Sequence, residues 1–181
     1  ITAQLDAPQN LQLAAEAVAK IFDVRQAGLL LFGDAEPGGR LAESIPVHER
    51  IEAIALIPAN EAALRAKFQP HLTALLGDAK LDGGRLRAVL TALPLMGADN
   101  AAANFQIVAQ HLIDGKERNT AAKALLKFPK ASWDASKAKP TTDAVLAFGK
   151  TVKPADRSKP EYVEIIAAAK EMAALQGDAG K

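Results

Sequence analysis

The sequence contains no cysteine, and this absence excludes several kinds of site. A chain without cysteine forms no disulfide and has no thiolate nucleophile, and it lacks the ligands for covalent haem attachment and for a type-1 copper site. Aromatic residues are also scarce, at 4%, and no stretch approaches the roughly 18 uninterrupted apolar residues that a membrane span needs. Alanine dominates the apolar residues instead. Because alanine favours helices and disfavours strands, the composition predicts packed helices and no membrane span.

Motifs for catalysis, metal binding or cofactor binding are not found. None of His48, His71 and His111 has a second histidine at a ligand spacing, so we interpret them as capping or partly exposed residues. The serines lack the Gly-X-Ser-X-Gly pattern of a nucleophile elbow, and Gly38-Gly39-Arg40 is not followed by the lysine of a phosphate-binding loop. The sequence therefore predicts no catalytic residue, no metal ligand and no cofactor.

Charge is distributed unevenly although the net charge is only +1. Residues 1–115 hold 9 basic and 13 acidic side chains, whereas residues 116–181 hold 13 basic and 8 acidic ones. We interpret the densest basic run as a solvated helix face, with an anionic partner as the alternative. If the chain docks a partner, the predicted docking residues are Lys116, Arg118, Lys123 and Lys127. The charge density is well below that of a dedicated nucleic-acid binder, so no nucleic-acid partner is predicted.

An internal repeat gives the clearest prediction of the fold. Residues 53–58, 89–94 and 124–129 each read as an apolar helix end that stops at a proline, and these prolines are 36 and 35 residues apart. Such a period is typical of helix-pair repeats. The sequence therefore predicts an all-α fold, a short α-solenoid of antiparallel helix pairs of HEAT- or armadillo-like type. A compact irregular helical bundle is the alternative.

The repeat and the apolar periodicity together predict the organisation of the chain. We expect an N-terminal helix pair over residues 1–33, a loop over 34–47, helical repeats over 48–176 and a flexible tail over 177–181.

Local signals within the repeats predict helix ends and buried positions. Asn100 is expected to cap a helix that Gly115 closes, and Pro70 is expected to kink or split another. The helix faces predict four inward-pointing side chains: Leu90, Leu93, Phe105 and Leu126. Trp133, the only tryptophan, is expected to pack against the core rather than to stack on a ligand.

The segment 124–175 resembles a helical region of large multidomain proteins from planctomycetes and verrucomicrobia. The resemblance lies in a set of fixed spacings, carried by Leu125, Leu126, Pro129, Trp133, Val152, Pro154, Ala155, Arg157, Ser158 and Pro160. Phe128 stands where those proteins usually have isoleucine. In that family, such a HEAT-like region lies between a sugar-dehydrogenase-like β-propeller and a cupredoxin or haem-binding domain and connects them.

The resemblance implies a role and a location. It implies a non-catalytic scaffold or spacer within a larger exported protein, periplasmic or secreted, whose partners are neighbouring domains or another protein. The alternative is that the chain contributes a substrate or docking surface to a periplasmic sugar-dehydrogenase or electron-transfer enzyme. The chain begins Ile1-Thr2-Ala3 without methionine, so we expect a processed protein or a piece of a longer one.

Overall fold

A computed structural model describes residues 47–57, 60 and 62–178 of the chain, and these residues form helices and turns with no strand. The predicted all-α class is thereby confirmed. The predicted N-terminal helix pair and nearly all of the loop that follows it lie outside the described residues. The chain divides into two compact units, Ile1–Met96 and Gly97–Lys181, and each is described by itself.

The described part of the first unit contains four α-helices. They are α1 (Val47–Glu52), α2 (Ala62–Ala66), α3 (Gln69–Leu76) and α4 (Gly83–Ala92). Short 3-10 helices follow α1 and α4, at Ala53–Leu56 and Leu93–Leu95.

The described part of the second unit also contains four α-helices. They are α5 (Ala98–Asp114), α6 (Arg118–Leu125), α7 (Ala138–Thr151) and α8 (Pro160–Asp178). Its 3-10 helices are Lys130–Ser132, Ala135–Lys137 and Pro154–Asp156. Because α8 continues to Asp178, it includes the first two residues of the predicted tail, and the rest of that tail lies outside the described residues.

Proline and glycine set several helix boundaries as expected. Pro70 lies in the first turn of α3, where its missing N–H is not needed, and the predicted long helix is accordingly split into α2 and α3. Gly115 ends α5 with φ 77°, a left-handed conformation that glycine adopts without strain. The prediction for Asn100 is wrong, because α5 begins two residues earlier, at Ala98, after Gly97.

In the first unit, α4 is the central helix of the described residues. It packs against α1 and against α3, and its N-terminus is capped by Asp82, whose carboxylate accepts a 2.8 Å hydrogen bond from the Arg85 N–H. Leu90 and Leu93 are buried, as predicted. The other large buried side chains of this unit include Ile51, Ile54, Phe68, Leu72, Val89 and Met96.

In the second unit, α5 and α6 form a hairpin around an aromatic cluster. Gly115 and the two residues after it connect the helices, and Phe128, just beyond α6, packs edge-on against the buried Phe105 of α5 with ring centroids 5.9 Å apart. The ring of Trp133 lies on the same phenylalanine at 5.4 Å. The chain therefore runs back along α5, and the two helices point in opposite directions.

The second hairpin, formed by α7 and α8, stacks on the first. Asn119 at the start of α6 donates to the Glu161 carbonyl and the Glu164 carboxylate near the start of α8, whereas Lys130, beyond the end of α6, pairs with Glu171 further along α8. The order of these contacts shows that α6 and α8 run in the same direction. Helix α7 in turn packs against α5.

The sequence prediction for one buried position needs correction. Leu126 is 38% exposed, and its neighbour Leu125 is the fully buried residue. The predicted helix to Phe128 ends at Leu125, but Leu126 keeps helical φ and ψ and its N–H donates to the Ala122 carbonyl. Leu126 therefore follows the helical rotation, which at 100° per residue turns it away from the buried face that ends with Leu125. Two stacked hairpins are fewer than the three or more units of a solenoid, so the extended solenoid stays a prediction.

Candidate docking surface

The four predicted docking residues follow the length of α6. Lys116 lies in the turn before α6, Arg118 is its first residue, Lys123 lies in its last turn and Lys127 follows its end. Since α6 has 8 residues and a helix rises about 1.5 Å per residue, Lys116 and Lys127 lie at opposite ends of an element about 12 Å long. The four cations therefore form a line rather than a compact cluster.

Arg118 is engaged within the fold. Its guanidinium carbon lies 4.3 Å from the centroid of the Phe148 ring, a cation–π contact that joins α6 to α7. A Cβ atom on Gly115 would overlap the same guanidinium. Burial lowers the pKa of Arg118 from its ordinary value, because desolvation disfavours the charged form. This side chain is better placed to hold the hairpins together than to reach a partner.

Lys123 is also occupied, by a carboxylate of α8. Its ammonium lies 3.1 Å from Glu164, which accepts a second bond of 2.7 Å from the Asn119 amide. The hydrogen bond from Asn119 first, and that from Lys123 second, hold the pKa of Glu164 below its ordinary value. Both partners are substantially exposed, so the pair contributes little to stability.

Lys116 and Lys127 are the two predicted docking residues that remain available. Both side chains are exposed, and neither has an ion-pair partner among the residues that the structure describes. A carboxylate of another molecule can approach either one without displacing an internal contact.

Trp133 packs in the way the sequence predicts. Its indole N–H donates a 3.1 Å hydrogen bond to the Phe128 carbonyl, and its ring covers Phe105. Lys130 lies 3.6 Å from the centroid of the indole ring and is held there by its 2.5 Å ion pair with Glu171. Through these contacts the indole ring covers the core of the α5–α6 hairpin.

Sequence reasoning did not identify a groove on α8. The groove has a volume of about 230 Å³ and is lined by Arg157, Tyr162, Val163, Ile166, Ala167 and Lys170. Tyr162 and Ile166 are both partly exposed, and Val163 is 52% exposed. The sequence feature that could have indicated this groove is the width of the apolar stripe of α8, which extends past the face that the helix buries.

The histidines do not come together in the described part of the chain. His48 and His71 are exposed, whereas His111 is half-buried in the last turn of α5. Burial first, and the nearby Lys116 second, lower the pKa of His111 from its ordinary value. Over the described ranges, no group of three histidine, aspartate or glutamate side chains is placed to hold a metal ion.

Among the helices described here, none has both the length and the apolar character required to cross a membrane. Comparisons of the chain with protein-family models, with curated proteins and with solved structures found no match.

Proposed function

We propose that this chain is a non-catalytic helical-repeat scaffold, of HEAT- or armadillo-like type, that docks a protein partner or the neighbouring domains of a larger exported protein. The observation that carries the proposal is the parallel arrangement of α6 and α8. In an up-down bundle with short loops, neighbouring helices are antiparallel. In a stack of helical hairpins, the second helix of one pair lies parallel to the second helix of the next.

The contacts between the hairpins support the same interpretation. Lys123 and Lys130, seven residues apart, contact Glu164 and Glu171, which are also seven residues apart. A shift of one helical turn along α8 would separate both pairs, so the contacts favour one register of stacking. The proline period of 36 and 35 residues extends the same organisation along the sequence.

The residues of the family resemblance have structural positions that suit a scaffold. Leu125 is buried and Trp133 covers the core of the first hairpin. Arg157 donates 3.2 Å hydrogen bonds to the carbonyls of Val152 and Gly149, which fixes the turn between α7 and α8. Each of these contacts stabilises a hairpin or the connection within it.

The alternative function is a contribution to a periplasmic sugar-dehydrogenase or electron-transfer enzyme. It is favoured by the resemblance of segment 124–175 to proteins that carry such domains. In that case the chain would supply a docking face for a redox domain, and oxidation of a sugar would depend on its presence.

Binding to neighbouring domains tests the scaffold proposal. The reading frame on both sides of the coding segment would be sequenced, and any neighbouring domains would be expressed as separate proteins. We expect calorimetry to show binding that weakens as salt is added, because the exposed cations Lys116 and Lys127 favour an acidic partner surface. No binding at low or high ionic strength would contradict a docking role. Oxidation of a sugar by the isolated chain in a dye-linked assay would instead favour the enzymatic alternative.

A further inference from the structure

The outer face of α8 combines an exposed apolar floor with positive charge at both ends. Val163, Ile166 and Ala167 form the floor, and Arg157 and Lys170 lie at the ends. From Tyr162 to Lys170 the groove follows two turns of helix, about 12 Å at 1.5 Å per residue. Its length matches a short helical segment better than a single small molecule.

The positive charge of this groove is not balanced internally. The guanidinium of Arg157 donates to two backbone carbonyls, which are neutral, and Lys170 has no ion-pair partner among the described residues. The preceding acidic residue, Asp156, is paired with Lys159 at 2.8 Å. No carboxylate lines the described part of the groove. A carboxylate brought by a ligand would therefore find two available cations.

Two carboxylates of α8, those of Glu164 and Glu171, lie on the edge of the helix that faces α6. Glu164 is bound by Asn119 and Lys123, and Glu171 is bound by Lys130. At 100° per residue, the five groove residues of α8 point on average about 120° around the helix axis from these two glutamates. One edge of α8 is thus acidic and occupied, and another face is basic and open.

The packing of α8 on α6 is an example, within this protein, of a surface with cations beside apolar side chains that binds an acidic helix. There, cations seven residues apart meet carboxylates seven residues apart, and the buried side chains of α6 are alanines and a leucine. The outer face of α8 presents the same combination, cations beside an apolar strip. A helix with the pattern of α8 itself complements it in charge and in apolar surface.

We propose that the outer face of α8 binds an acidic amphipathic helix of a partner protein, in the same way that the basic edge of α6 binds α8. This inference rests on the proposed scaffold function and names the surface and the kind of partner. The apolar stripe of the partner helix lies on Val163 and Ile166, and its carboxylates pair with Arg157 and Lys170.

A synthetic helix tests the proposal directly. The probe is a fluorescein-labelled, alanine-rich peptide with a leucine stripe and two glutamates seven residues apart, the spacing of Glu164 and Glu171. The control peptide has glutamine at both positions. Fluorescence anisotropy with the full chain should show that the glutamine peptide binds about fivefold more weakly, a ratio that falls toward one as salt is added.

Variants of the chain locate the binding surface. Lys170→Glu should weaken binding of the acidic peptide about tenfold, whereas Lys80→Glu, which reverses an exposed lysine of the first unit, should change it by less than about twofold. Val163→Asp should abolish binding because it places a carboxylate in the apolar floor. Since Val163 is half-exposed, this variant should keep the wild-type melting temperature, which circular dichroism would check.

Several results would overturn the proposal. These are no binding of the acidic peptide to the wild-type chain, equal binding of the two peptides, or binding that survives Val163→Asp. A dimer seen by sedimentation equilibrium and dissociated by Val163→Asp would show that a second copy of the chain covers the face instead. The scaffold function is tested separately: binding of neighbouring domains that is insensitive to Val163→Asp would keep that function and remove this inference.

Discussion

The ring of Trp133 lies on the ring of Phe105, with centroids 5.4 Å apart and planes inclined by 31°. These residues are 28 positions apart in the sequence and close the core of the α5–α6 hairpin. The indole is partly exposed on its other side, where Lys130 covers it. The only tryptophan of the chain is thus part of the fold of the second unit.

Replacing Trp133 should therefore destabilise the protein in two separable steps. Trp133→Phe keeps a ring on Phe105 but removes the hydrogen bond to the Phe128 carbonyl, and we expect a loss of about 1 kcal/mol. Trp133→Ala also removes the ring and should cost about 2 to 3 kcal/mol, below the range for a fully buried tryptophan. Urea unfolding followed by circular dichroism measures both values. Equal losses for the two variants would mean that the ring contact contributes nothing.

The neighbouring leucines at the end of α6 should respond very differently to truncation. Leu125→Ala should lower the free energy of unfolding by about 2 to 4 kcal/mol, because the side chain is fully buried and truncation leaves a cavity. Leu126→Ala should cost less than about 1 kcal/mol, since that side chain is 38% exposed. Unfolding can be followed by the fluorescence of Trp133. Lys123→Ala serves as a surface control and should also change stability by less than about 1 kcal/mol.

The contrast between these leucines shows which parts of the fold the sequence predicts. Two signals that act within a few residues gave correct predictions, since Pro70 separates α2 from α3 and Gly115 ends α5, whereas the cap predicted at Asn100 was wrong. The assignment of Leu126 to the inner face is wrong, because apolar periodicity does not decide between two adjacent leucines and the packing buries Leu125. The predicted helix end at Phe128 is also three residues late, because α6 ends at Leu125 and a turn follows.

The candidate docking surface depends on contacts that sequence periodicity does not encode. Lys123 and Glu164 are 41 residues apart, and only the stacking of the two hairpins brings them together. The same stacking turns Arg118 toward Phe148 and removes it from the exposed cations. The run of basic residues in the sequence therefore did not distinguish the internally paired side chains from Lys116 and Lys127.

Gly115 should be sensitive to substitution for two reasons. Its φ of 77° is strained for any residue with a Cβ atom, and that atom would overlap the guanidinium of Arg118. Gly115→Ala should therefore cost about 1 to 2 kcal/mol in denaturant unfolding. Gly77 is a suitable control because its φ is −84° and an added Cβ would make only an ordinary contact. If Gly115→Ala were no more destabilising than Gly77→Ala, the turn would not require glycine.

The double variant Gly115→Ala with Arg118→Ala separates the two causes. Removing the guanidinium relieves the overlap but leaves the backbone strain. We expect the cost of the glycine substitution to become smaller in the Arg118→Ala background and to remain above zero. An unchanged cost would assign the whole effect to the backbone.

Stability should fall as the pH drops through the range in which histidine titrates, because of His111. Burial lowers the pKa of this half-buried imidazole below its ordinary value of 6.5, so the folded protein binds a proton less readily than the unfolded chain does. The contribution of the neutral His111 side chain to the free energy of unfolding is therefore complete above pH 6.5. It is lost progressively as the pH falls from there toward the lowered pKa of the folded state. Urea unfolding at pH 7.5 and pH 5.5, about one unit on either side of the ordinary pKa, should show the difference.

Two variants assign this pH dependence to one residue. His111→Gln should reduce the loss of stability between the two pH values, because glutamine does not titrate. His71→Gln replaces an exposed histidine and should leave the loss as it is in the wild-type protein. The nearby charges act in opposite directions, since Lys116 lowers the pKa of His111 and Asp114 raises it. Lys116→Gln should therefore move the midpoint of the His111 titration, followed by NMR, to higher pH, and a shift to lower pH would contradict this electrostatic account.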